Sequence, residues 1–393
     1  MGKKIIIENI SSGYLTIDVA NAFAESGLYD EVILFTGELH IRPTSPAEGV
    51  RVKKTVKYKS NTVLQRLLTC SLAFVHLFFY LLFKSRKYEL LMVSTIPFIT
   101  FMPGLTRRKC SMLIYDVAPD SMVASGILKK ESWLNRVWEK RNRKVYAKCE
   151  KVFVISNSMK QLVSKYVAEE KMEVIYNWSH NEFLSAVAHG KENPFAKEHE
   201  LEGKLVVLYS GALGINLMPY FGTLLKVAER LKDNSEITFV IIGEGQVKQR
   251  IEEIVAQKQL QNVKMLPFQP FEMLPFSMGT ADVSFAPISP SMGSISIPSK
   301  FNSYLSVGSS VMCITDQAEG RMEVKSLIAD NNIGKTFYRG QEQEITDYLL
   351  KLVAEPELLK EYKDNAYKLS EEYTPRNAEM FVKALNEDYE FKI

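Results

Sequence analysis

Two α/β units, each a parallel sheet covered by helices on both faces, are predicted for this 393-residue chain on three observations. The first is alternation. Short apolar runs ending in turn residues are separated by stretches with helical spacing, the pattern of βα repeats whose strands are buried on both sides. The second is charge: residues 1–190 carry 27 Lys and Arg against 17 Asp and Glu, a balance of +10, whereas residues 191–393 carry 22 against 29, a balance of −7. The third is the polar run VAHGKENPFAKEHELEGK at 187–204, broken by Gly190 and Pro194, which reads as a linker. The predicted organisation is a domain over 1–186, a linker over 187–204, a second domain over 205–375 and a terminal helix over 376–393.

In chain order, the predicted strands of the first half are KKIIIENI, EVILFTG, ELLMVST, CSMLIYD, KVFVIS and MEVIYN. Those of the second are KLVVLYSG, EITFVIIGEG, NVKMLPF, ADVSFAPI and SSVMCITD. With 46% apolar and 24% charged residues, the chain can build substantial cores, and a disordered protein is excluded. Cys70, Cys110, Cys149 and Cys313 are far apart and match no metal-ligand spacing, so free thiols in a reducing compartment are expected. The start, MGKKIIIENI, enters a strand at once and lacks the pattern of a signal peptide, so a cytosolic location or the cytosolic face of a membrane is expected.

Open parallel sheets bind ligands beyond the carboxyl ends of their strands, so the loops there carry the functional information. After LVVLYS comes Gly211-Ala212-Leu213-Gly214, and after FVII comes Gly243-Glu244-Gly245. Neither completes a dinucleotide fingerprint, no Walker pattern occurs, and each glycine pair alone is also consistent with a tight turn. In IPSKFNSYLSVG, residues 297–308, Pro298 opens a helix, Phe301, Tyr304 and Leu305 give it a buried face, and Gly308 ends it. Lys300 then falls in the first turn, where the macrodipole already makes the potential positive. Such a lysine disfavours the helix unless an anion sits in front of it; the other reading is a solvated surface lysine.

The succession of these features resembles the family 4 retaining glycosyltransferases of the GT-B fold, nearest to the branch that builds capsule and O-antigen repeat units. The segments that carry the resemblance are YSGALG at 209–214, VIIGEG at 240–245, NVKMLPFQPFEMLP at 262–275, ADVSFAPI at 281–288, IPSKFNSYLSVG at 297–308 and YDVAPDSMVASG at 115–126. The resemblance covers nearly the whole chain and implies two Rossmann-like domains facing across a cleft, the first binding the acceptor and the second the donor, with the last helix crossing back. It implies that a nucleotide-diphosphate sugar, expected to be UDP-linked, is bound by Gly211, Ala212, Leu213, Gly214, Gly243, Gly245, Phe268, Ser299 and Lys300. No further cofactor is implied. Lys300 and Asp116 are the implied catalytic groups, and Ser12, Gly13, Tyr115 and Asp116 are expected on the acceptor side. A diphosphate would also account for Lys300, since a cation aimed at the leaving phosphate holds it more strongly as charge develops.

The chain departs from the family pattern at several points. Two glutamates common around the Pro-Ser-Lys turn are replaced by Ile295 and Ser303, and an Arg and Lys common in the first glycine loop are replaced by Ala212 and Asn216. After the helix, Val307-Gly308-Ser309-Ser310 stands where Ala-Gly-Lys-Pro is usual. Tyr115 stands where other members have histidine, and a phenol does not titrate near neutral pH. Asp116 has two readings, a contact to sugar or acceptor and a cap of the following turn. No Asp-x-Asp pair follows a strand and the five histidines are scattered, so no metal site and metal-independent chemistry are expected.

LLTCSLAFVHLFFYLLF, residues 67–83, runs for 17 residues without a charge and is flanked by Arg66 and by Lys84, Arg86 and Lys87. It falls short of the roughly 20 residues that span a bilayer and is readable as a buried helix, a monotopic membrane helix or a span. Basic clusters at 107–109 (RRK) and 140–144 (KRNRK) would attract anionic lipid, whereas no nucleic-acid module accompanies them. The expectation is a peripheral enzyme of hexosyltransferase type on the cytosolic face of the plasma membrane, extending a polyprenyl-diphosphate-linked glycan in bacterial surface polysaccharide synthesis. The alternatives are a non-catalytic GT-B-like subunit supporting a partner, and a nucleotide-sugar epimerase or hydrolase.

Overall fold

The computed structural model describes residues 2–59, 62–84, 86–96, 98–106, 108–124, 126–185, 192–289, 297–316 and 322–390. The chain divides into two compact units: Met1–Asn177 with Pro375–Ile393, and Trp178–Thr374. Unit 1 holds β1 (Lys3–Glu8), β2 (Ser11–Ser12), β3 (Tyr29–Thr36), β4 (Glu38–Leu39), β5 (Val50–Lys54), β6 (Tyr88–Val93), β7 (Cys110–Ile114), β8 (Val152–Val154) and β9 (Met172–Val174). Unit 2 holds β10 (Leu205–Ser210), β11 (Ile237–Ile242), β12 (Val263–Leu266), β13 (Val283–Ile288), β14 (Ser310–Thr315) and β15 (Gly334–Tyr338).

The main sheet of unit 1 has the order β5-β3-β1-β6-β7-β8-β9, and that of unit 2 the order β12-β11-β10-β13-β14-β15; every pairing is parallel. In each sheet the strand order reverses beside one strand: β1 lies between β3 and β6, and β10 between β11 and β13. Such a reversal opens a crevice at the carboxyl ends, and both candidate loop sets lie there. The continuous apolar runs form the central strands because both faces are covered; Ile5, Ile6 and Ile7 are all fully buried. Two edge strands have no apolar run to announce them. VRVKK in β5 and GKTFY in β15 are partly exposed, so their sequences are half polar.

The boundary between units falls at Asn177/Trp178, not at the predicted linker, whose residues 187–191 lie outside the described residues. Within 192–204, Asn193 caps a short helix, Pro194–Glu198, and Phe195 and Leu201 are 1% and 3% exposed. These two side chains pack against Val206, Leu208, Val240 and Ile242, so this segment is part of the unit 2 core. The last helix, Asn377–Leu385, belongs to unit 1, where it packs on the helix Tyr14–Glu25 and sets Phe381 4.7 Å from Phe153.

The uncharged run forms a 21-residue helix, Val63–Phe83. Thr62 caps its start by accepting from the Gln65 amide, and Arg108 caps its end by donating to the Leu81 and Lys84 carbonyls at 2.7 Å. Cys70, Ala73, Leu77 and Leu81 form its buried stripe. Leu68, Leu72, Val75, Phe79 and Leu82 form an exposed apolar one, so a fully buried core helix is ruled out among the three readings. By length and composition the helix could cross a membrane.

Candidate functional site

In unit 2 the two glycine motifs make one structure. The loop after β10 lies directly on the loop after β11: the Gly211 amide donates to the Ile242 carbonyl at 2.8 Å, Leu213 to Glu244 at 2.9 Å, and Val247 back to Leu213 at 3.1 Å. A Cβ on Gly243 would fall 2.0 Å from the Gly211 carbonyl oxygen, and one on Gly245 would fall 2.4 Å from that of Leu213. Gly211 and Gly245 also have φ of +147° and +150°, open to glycine alone. The 13-residue helix Met218–Arg230 follows Gly214 and a 3-10 turn, with no acid in its first turn to compensate the positive end of its dipole.

Lys300 lies across this loop. Its Nζ would be 1.8 Å from a Cβ on Gly211, donates to the Tyr209 hydroxyl at 2.9 Å, and sits 4.5 Å from the centre of the Tyr209 ring. Tyr209 in turn donates to the Ala212 carbonyl at 2.7 Å and is locked among Phe221 and Phe285. Burial pushes the Tyr209 phenol well above its ordinary pKa, so it stays neutral and accepts from the ammonium. The same burial lowers Lys300 to about 8. Here a cation is held half-desolvated against an aromatic face, with no carboxylate partner among the described residues, beside a pocket of about 210 Å³ that Tyr209, Leu217, Pro287, Ser299 and Lys300 help to line. An anion entering the pocket would meet an ammonium poorly solvated by water and would raise its pKa.

Gly211, Ala212, Leu213, Gly243, Gly245 and Lys300 are thus brought together, Ser299 lines the same pocket, and Gly214 starts the helical turn. The Leu213 side chain is fully buried in the core, so its backbone is what faces the loop, and Phe268 stands 53% exposed after β12, outside the lining of that pocket. Ser303 is half-buried on the helix Ser299–Ser306, and Ile295 lies outside the described residues. Tyr209 was missed from sequence; its only signal there is a hydroxyl at the end of an apolar strand.

Unit 1 pins its loops with side chains. Asn9, 3% exposed, donates to Thr16 at 2.7 Å and accepts from the Ser11 amide at 3.3 Å and from Thr95 at 3.0 Å, tying the β1 loop to the next helix and to the β6 loop. Ser94 accepts from the Tyr115 and Asp116 amides at 2.9 and 3.0 Å. Ser12 is fully buried with its hydroxyl donated to the Asn9 carbonyl, so its side chain serves the loop itself. Gly13 starts the helix Tyr14–Glu25 in extended backbone with open space where a Cβ would be. Tyr115 is half-buried, and burial keeps its phenol protonated.

The Asp116 carboxylate is exposed and makes no turn-capping bond among the described residues, which removes the capping reading. Asp120 of the same motif is consumed instead by Lys165 and by the Tyr166 hydroxyl at 2.5 Å. A cluster of polar groups at the carboxyl edge of one parallel sheet and an anion-suited pocket at that of another define a two-unit α/β protein of GT-B fold.

WaaG, a glycosyltransferase involved in lipopolysaccharide biosynthesis, has a structure similar to this one with a TM-score of 0.67 at 13% identity, covering 96% of this chain and 99% of that one. The structure of Anabaena Alr3699/HepE in complex with UDP and glucose gives 0.66 at 13% identity, over 98% and 99%. Residues 190–369 match the family described as Glycosyl transferases group 1. Two curated relatives are similar in sequence. Glycosyltransferase WbjE of Pseudomonas aeruginosa is 24% identical over 62% of this chain and 59% of its own length. WcaI of Escherichia coli (strain K12), named for colanic acid biosynthesis, is 26% identical over 66% and 65%. The chain therefore spans about three fifths of the length of the curated relatives it matches.

Proposed function

We propose that the protein is a retaining glycosyltransferase of hexosyltransferase type, moving a sugar from a nucleotide-diphosphate donor to a lipid-linked glycan in bacterial surface polysaccharide synthesis. The observation that carries this reading is Lys300 lying across the fused glycine loops, a half-desolvated cation beside a pocket in the segment that matches the Glycosyl transferases group 1 family. The UDP and glucose bound in the similar Alr3699/HepE structure support a UDP-linked donor. The names of WcaI and WaaG support a polysaccharide or lipopolysaccharide setting.

On this reading Lys300 and the amides of Ala212 and Gly214, the loop amides not spent on Ile242 and Glu244, hold the diphosphate. Their attraction strengthens in the transition state as the bond from the anomeric carbon to the phosphate oxygen breaks and its electron pair stays with the phosphate. The acceptor hydroxyl attacks from the leaving-group side, and its proton passes to the departing phosphate, so the new bond keeps the anomeric configuration. Asp116 orients the acceptor as a hydrogen-bond acceptor. No metal is required in this scheme. The exposed apolar stripe of the helix Val63–Phe83 would rest on the cytosolic face of the plasma membrane, where a polyprenyl-diphosphate acceptor resides.

The test is incubation of purified protein with a panel of nucleotide sugars and a polyprenyl-diphosphate sugar, read by product mass, with and without a strong chelator. Transfer that survives chelation is expected. Donor hydrolysis without transfer would establish a hydrolase, failure to bind any nucleotide would establish a non-catalytic subunit, and activity restored by magnesium after chelation would overturn the metal-independent scheme.

A further inference from the structure

The helix Trp133–Tyr146 of unit 1 buries Asn135, Asn142, Val145 and Tyr146 and leaves large apolar residues among the cations of its outer face. Asn135 and Asn142 face inward at 3% and 0% exposure, whereas Trp133 and Val137 face outward at 74% and 55%. A helix face that meets only water carries polar and charged residues, not an exposed tryptophan and valine. Ile127, on the turn just before, is 73% exposed, and Arg136, Lys140, Arg141 and Lys144 surround the apolar residues on the exposed side. The other basic cluster does not share this character: Arg108 caps the helix Val63–Phe83, Lys109 pairs with Glu150 at 3.3 Å, and Arg107 lies outside the described residues.

We propose that the helix Trp133–Tyr146, together with Ile127, is a second contact with an anionic lipid bilayer, and that it sets the loop carrying Tyr115 and Asp116 at the bilayer surface. An aromatic with its cations around it suits the headgroup boundary, where apolar insertion and attraction to anionic lipid add. Packed rings link this helix to the apolar one. Phe74 of the helix Val63–Phe83 packs 5.5 Å from Phe98, and Phe101, one short turn on, packs 6.0 Å from Trp138. The inward face supplies the coupling: Asn142 donates to the Ala118 carbonyl at 2.7 Å, so the helix that would read the membrane also holds the Tyr115–Asp120 loop. This deepens the lipid-linked reading and rests on it for its purpose.

The experiment uses the full chain with phosphatidylcholine vesicles, with and without phosphatidylglycerol, and Trp133 as the reporter. Trp138 is half-buried and Trp178 is 2% exposed, so subtracting the spectrum of Trp133→Phe isolates the exposed indole. Anionic vesicles should shift Trp133 emission to the blue and protect it from acrylamide. Lys140→Gln and Lys144→Gln should each weaken vesicle binding about fivefold. Trp133→Ser combined with Val137→Ser should reduce it further without lowering the melting temperature. Vesicle binding that leaves Trp133 open to acrylamide would overturn this second contact while the lipid-linked acceptor stands. No vesicle binding would overturn both, and self-association abolished by Trp133→Ser would assign the face to a second copy of the chain.

Discussion

After β10 and β11 the loops of unit 2 are held to each other main chain against main chain, whereas in unit 1 the loop after β1 pairs by its main chain with the segment after β3 and is tied to the loops after β6 and β7 by the side chains of Asn9 and Ser94. The difference follows from what each edge leaves available. Glycines let two loops meet with nothing between them; the Gly211 and Leu213 amides are spent on that contact, and one lysine with the Ala212 and Gly214 amides is the chemistry on offer, which suits an anion. Side-chain pins consume amides and leave an exposed carboxylate and a half-buried phenol, which suits the hydroxyls of a polar ligand.

Gly245→Ala should break the unit 2 arrangement most severely. It adds a Cβ 2.4 Å from a backbone oxygen at a φ of +150°, for an expected loss of about 2–6 kcal/mol in chemical denaturation from strain and overpacking. Gly13→Ala in the unit 1 loop, with open space and φ of −98°, should stay within about 0.5 kcal/mol of the parent. Equal effects at the two positions would show that the loops are not built differently.

Lys300→Ala should leave the fold intact and cut turnover by about 10²-fold, on the order of 3 kcal/mol. The pH dependence is more specific. Since burial lowers Lys300 to about 8, the ammonium is lost above that pH, and affinity for UDP should fall there by about tenfold per unit. Lys300→Arg, whose charge persists, should bind with a flat profile. For stability the sign is opposite: between about 8 and the unfolded lysine value near 10.4, the native state binds fewer protons than the unfolded chain, so stability rises with pH. A parent profile as flat as that of the arginine variant would remove Lys300 from the anion site.

Ser94→Ala tests the unit 1 pins. Leaving the Tyr115 and Asp116 amides without their acceptor should cost about 1–3 kcal/mol and raise the KM for acceptor, with UDP affinity unchanged. An effect on UDP alone would contradict the assignment of these loops. Glu8→Gln should have its smallest effect in acid, below about pH 4.3, and grow until about pH 8. Glu8 is 2% exposed, its Oε2 has no partner among the described residues, and burial raises it to about 8. The native state therefore binds more protons than the unfolded chain between about 4.3 and 8, stability falls as pH rises through that window, and the glutamine variant should be spared by up to about 1.4 kcal/mol per pH unit.

The sequence by itself determined the two parallel sheets, because strands buried on both faces must be continuously apolar and runs such as KKIIIENI and LVVLYS have no other stable place. It also determined the two glycine motifs and the lysine in a helix's first turn, since backbone freedom and helix polarity are local properties. Only the tertiary structure decided that the glycine motifs are one object with Tyr209 beneath Lys300, because that depends on which distant atoms arrive at 2–3 Å. The same holds for the divergent fates of Asp116 and Asp120, the burial of Ser12, and the core role of Phe195 and Leu201 inside a stretch polar enough to read as a linker. It holds too for the helices Val63–Phe83 and Trp133–Tyr146, whose periodicity shows how apolar and polar residues are spaced, while the neighbours packed against each helix decide which stripe is left facing outward.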